Sequence, residues 1–151
     1  MARRLFLVPL ALLVVSFLGT PALAQDQQTN PAGVWRVTYY HVKPGMMPDI
    51  LKDLREHFKV TIEFAKSKGR LKEYKIYTNA TTNNAEDWNY AIAFHFVNWA
   101  ALDPNDAFTK EQGEYLDKHY GSREKRDAAA AWRRERQTVV RSVLLNEVEL
   151  K

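Results

Sequence analysis

The chain contains no cysteine, which excludes a disulfide framework, a Cys/His metal-binding spacing and lipid attachment at a cleavage-site cysteine. It has only six glycines, and none falls in a Gly-rich phosphate loop or a nucleophile elbow. No carboxylate pair stands at a spacing suited to acid–base work, and the four histidines, His41, His57, His95 and His119, form no H-x-x-x-H or H-x-x-E pattern. No metal site and no cofactor are therefore expected. Charge is nearly balanced too: of the formal +4, Arg3 and Arg4 contribute two. The remainder is too small to point to nucleic acid or a membrane surface.

What is present begins with an export signal. Arg3 and Arg4 precede the apolar run Leu5 to Leu18, and Ala22-Leu23-Ala24 before Gln25 is a small-x-small cleavage site. The run is shorter than the ~20 residues of a spanning helix, and no later stretch is apolar enough to stop transfer. Residues 1–24 are expected to be removed, leaving a periplasmic or secreted protein without a membrane anchor. Arg3-Arg4-Leu5-Phe6-Leu7 also resembles the twin-arginine pattern, although its flanking polar residues are missing. Residues 25–33 read as a polar leader, and 34–151 as one domain.

Within that domain the hydrophobic period changes at every break. Val34 to Lys43 is β-branched and aromatic, and stops at Pro44-Gly45. From Met46 to Lys68, Met47, Ile50, Leu51, Leu54, Phe58, Ile62 and Ala65 recur at helical steps. Leu71 to Thr78 alternates as a strand, Asn79 to Asp87 is a polar turn, and Trp88 to Val97 is a second, greasier strand. A helical start at Asn98 to Leu102 is interrupted by Asp103-Pro104 and resumes over Asp106 to Tyr120. Ser122 caps a further helix through Arg136, and Thr138 to Val148 closes the domain as a strand. Strand, helix, strand, strand, helix, strand predicts an α+β, ferredoxin-like βαββαβ fold, a four-stranded antiparallel sheet with the helices on one face.

Both alternations of the strands are apolar. Trp88, Tyr90, Ile92, Phe94 and Phe96 face Ala91, Ala93, His95 and Val97 across the backbone of one strand. Helices shelter one side only, so the other requires cover, and a second copy packed sheet to sheet is the simplest source. The alternative cover is the polar leader or the helix after Ser122.

The element order, the strand end Tyr40-His41-Val42-Lys43-Pro44-Gly45 and the turn Asn98-Trp99-Ala100-Ala101-Leu102 resemble the dimeric α/β-barrel superfamily, which includes the antibiotic-biosynthesis monooxygenases and the NIPSNAP and EthD-like groups. The resemblance implies a homodimer with a pocket between sheet and helices in each subunit. It implies no reaction, because the superfamily holds cofactor-free oxygenases, isomerases, haem enzymes and proteins without known activity.

His95 is the candidate general base, since Ala91 and Ala93 beside it leave room above the sheet. His119 and His57 are placed to close such a pocket, and Tyr40 and Arg141 to contact a small apolar or aromatic ligand. Arg36 and Arg141, mid-strand among apolar neighbours, each require an acceptor, either a local acid or a bound carboxylate. His41 and His95 fall near opposite ends of the sheet, roughly 13–20 Å apart at ~3.3 Å per residue. Arg133-Arg134-Glu135-Arg136 reads as a solvated helix face. These residues are compatible with a small-molecule-binding module, with a cofactor-free oxygenase or isomerase, or with haem bound through one histidine.

Overall fold

The computed structural model describes residues 33–81 and 87–147. The expected signal peptide, most of the leader, the middle of the polar turn and Val148 lie outside them. Strand β1, Val34–Val42, leaves Gly33, whose φ of 92° suits only glycine. A Cβ at Gly33 would also lie 2.3 Å from the Phe96 carbonyl oxygen. Lys43, Pro44 and Gly45 then turn the chain, with the Met46 amide donating to the Lys43 carbonyl at 3.1 Å.

The first helical run is not uniform. Helix α1, Met47–Asp53, passes through a π-helical turn at Leu54–Phe58 into α2, Lys59–Ser67. The extra residue of that turn is absent from the apolar pattern, which predicts an unbroken helix. It still leaves Ile50, Leu54, Ile62 and Ala65 buried on one stripe. Strand β2 follows at Leu71–Thr78 and β3 at Tyr90–Phe96. β3 begins two residues later than its composition suggests. Asn89 breaks the ladder there: its amide donates to the Tyr40 carbonyl at 2.7 Å while its side-chain oxygen accepts from the Val42 amide at 2.5 Å.

A 3-10 turn at Trp99–Leu102 is capped by Asn98, and α3, Asp106–Tyr120, by Asn105, each through its side-chain oxygen. Helix α4, Arg123–Arg136, is capped by Ser122 and passes directly into β4, Gln137–Asn146. All strand neighbours are antiparallel in the order β2-β3-β1-β4. That order, with a helical crossover after β1 and after β3, makes the fold ferredoxin-like.

The helices cover one face. Tyr90, Ile92 and Phe96 point into it, against Ile50, Leu54, Ile62 and Ala65. The opposite, open face carries Val37, Ala91 and Ala93, partly shielded by Trp35, Tyr39, Trp88 and Val143. Helix α4 does not cross it: Arg133 of α4 bonds Asp53 of α1 on the helical side, which removes that helix as the expected alternative cover. Tyr77 and Leu145 remain about half exposed on the open side, and Ile76, Val139 and Leu144 on the helical side of the sheet edges.

Candidate functional site

Between α2, α3 and the helical face of the sheet lies a cavity of about 310 Å³. That is within the size range of small-molecule pockets, and its walls are mostly apolar, as such pockets require. Phe94 and Phe96 of β3 form the floor, while Phe58, Ile62 and Ala65 come from the first helical run and Leu102 and Phe108 from the other side. Cavity and core share these residues: Ile62, Ala65 and Phe96 line the one and belong to the buried cluster of the other.

Four lining side chains are polar: Arg36, Thr61, Arg70 and Gln112. Arg70 is fixed, donating to the carbonyls of Ala101 and of Asp103, and its guanidinium lies 4.6 Å from the Phe108 ring centroid. Arg36 differs. Its guanidinium sits 4.9 Å from the centroid of Phe96 and 5.7 Å from that of Phe94. Burial lowers its pKa from the usual arginine value, partly offset by nearby Tyr40, whose own pKa burial raises. Tyr40 stacks on Tyr90 at 4.8 Å, four residues along β1 from Arg36 and outside the cavity lining.

The expected site residues do not converge. His95 lies on the open face, stacked on Trp35 at 4.5 Å, with Nδ1 3.6 Å from Glu73 Oε1. Gly33 closes over it, since a Cβ there would come within 2.7 Å of His95 Nε2. His57 and His119 are on the other side of the sheet, so they cannot close a pocket over His95. They meet each other instead, His57 Nδ1 to His119 Nε2 at 3.1 Å, beside the ring of Tyr120. Arg141 is exposed on the open face over the Tyr39 ring at 4.4 Å, and so does not need the acceptor expected of a buried guanidinium. His41, six residues along β1 from the partner of His95, bonds the Asp87 carbonyl at 2.9 Å.

Sequence reasoning also missed a buried polar cluster under α4. Asp53 accepts from Arg133 Nη1 at 2.9 and 3.1 Å, and the same nitrogen lies 3.4 Å from the Tyr120 hydroxyl. Burial alone would lower the Arg133 pKa, but bonds to Tyr120 and Asp53 outweigh it and raise the value. Arg133 is thus not part of a wholly solvated face. Among the described residues no group of three or more acidic or imidazole side chains is arranged to hold a metal ion, and no helix is long and apolar enough to cross a membrane.

No protein-family model matches the chain, and no curated protein is similar to it in sequence. Solved structures similar to it in fold include HapK from Hahella chejuensis, at 10% identity and TM-score 0.46, covering 78% of this chain and 95% of that one. An EthD family protein from Bacillus halodurans is similar at 10% identity and TM-score 0.40, covering 76% and 99%. A dimeric ferredoxin-like protein of unknown function from Thermobifida fusca is similar at 13% identity and TM-score 0.38, covering 80% and 93%.

Proposed function

We propose that this is an exported, homodimeric protein that binds a small, largely apolar or aromatic molecule in the cavity between helices and sheet. The supporting observation is the cavity itself: about 310 Å³ walled by four phenylalanines and aliphatic side chains, with few polar groups. An apolar recess of this size with a few polar groups at its wall is what small-molecule pockets present. Export rests on the pattern of residues 1–24, and N-terminal sequencing of the secreted or periplasmic protein should begin at Gln25. The second copy is supported by the apolar open face and by β4, exposed on both of its sides.

The test fills the cavity. Thr61 lines it from a half-exposed position on α2, so Thr61→Phe adds a ring inside at little expense to the core. A thermal-shift screen of small aromatic compounds should find ligands that stabilise the natural protein and lose that effect, by at least tenfold in apparent affinity, in Thr61→Phe. Ligands that stabilise both proteins equally would place binding elsewhere and overturn the reading.

A further inference from the structure

We infer that the ligand of this cavity is an aromatic monocarboxylate gripped by Arg36, an inference that rests on the cavity being the binding site. The charge of the lining carries the argument. Two guanidiniums face the space and, among the described residues, no carboxylate lines it. Arg70 donates from Nη2 to the carbonyls of Ala101 and Asp103, and those two bonds hold its guanidinium against the 3-10 turn. Arg36 differs: among the described residues no carboxylate, carbonyl or hydroxyl accepts from it, and its guanidinium lies near the rings of Phe94 and Phe96. A guanidinium has five N–H donors, and those of Arg36, partly withdrawn from water beside the rings, are free to meet an acceptor brought by a ligand.

A planar carboxylate meets the guanidinium fork with two parallel bonds, and a ring attached to it would lie among Phe58, Phe94, Phe96 and Phe108. A phosphate dianion would carry a second charge into a cavity with mostly apolar walls, at a greater cost in desolvation than a carboxylate. The volume, roughly ten times the ~30 Å³ share of a water molecule, accommodates one or two fused rings.

Calorimetric titration of the purified protein, with 2-naphthoate, 2-naphthamide and 2-naphthyl phosphate as probes, tests this. The carboxylate should bind at least tenfold more tightly than the amide, and more tightly than the phosphate. Arg36→Met should erase that preference while leaving the amide affinity unchanged. Arg36→Lys, which keeps the charge but not the fork, should recover only part of it. Because amide binding reports an intact cavity, a folding defect in Arg36→Met would show as loss of both probes, and Arg36→Lys then decides the outcome. Equal binding of carboxylate and amide to the natural protein overturns the inference while leaving the cavity reading standing. Tighter phosphate binding also overturns it. If Thr61→Phe fails to weaken any of the probes, the cavity reading falls first.

Discussion

Asp53, Tyr90 and His95 are buried ionisable side chains, and Asp53 and His95 are each legible in the sequence only as a residue type. Asp53 falls on the edge of the apolar stripe of α1, and nothing in its neighbourhood names Arg133, eighty residues away, as its partner. Helical periodicity gives Arg133 the same surface as Arg134 and Arg136, so the pairing emerges only when α4 docks on α1. Removing one member of a buried ion pair leaves the other uncompensated. Asp53→Ala should therefore cost about 3 kcal/mol, lowering the melting temperature by roughly 10 °C in a thermal scan. Asp53→Ala with Arg133→Met should recover part of that loss.

Tyr90 gives a second residue-scale prediction. Burial raises its pKa above the ordinary 10.0, with nearby Tyr40 adding to the effect and the bond to Gln137 opposing it. The unfolded chain therefore releases the phenolic proton first. Its contribution to stability is complete below pH 10.0 and is lost as the pH rises beyond it. Between pH 9 and pH 11.5 the natural protein should lose more stability than Tyr90→Phe, a difference that urea unfolding at each pH measures.

The order of elements was legible because each break carries its own chemistry: Pro44-Gly45, Gly69, Asn98, Asp103-Pro104, and Gly121-Ser122. The π-helical turn was not, since Leu54 and Phe58 keep helical spacing whether or not a residue is inserted between them. Nor was the side of the sheet each histidine occupies relative to the cavity, because alternation fixes which residues share a face and not which face receives the helices. The entrance to β1 is also an element-scale feature. Gly33 combines a positive φ with close approach to Phe96 and His95. Gly33→Ala should destabilise the domain by about 2 kcal/mol, read as a lower urea midpoint at unchanged slope.

For the whole molecule the two faces of the sheet have different proposed roles: the helical face lines the cavity, and the apolar open face is the one proposed to meet a second copy. Leu145 is about half exposed in a single subunit, so Leu145→Asp disturbs little within it. Burying that charge between two sheets would be unfavourable. Sedimentation velocity at micromolar concentration should show the natural protein at twice the chain mass and Leu145→Asp at the chain mass, with circular dichroism unchanged. The division is tested most directly by nuclear magnetic resonance of the isotope-labelled protein titrated with 2-naphthoate. Shifts centred on Arg36, Phe58, Phe94, Phe96, Leu102 and Phe108 are the predicted result. Shifts centred on Trp35, Val37, Ala91 and Ala93 would contradict it.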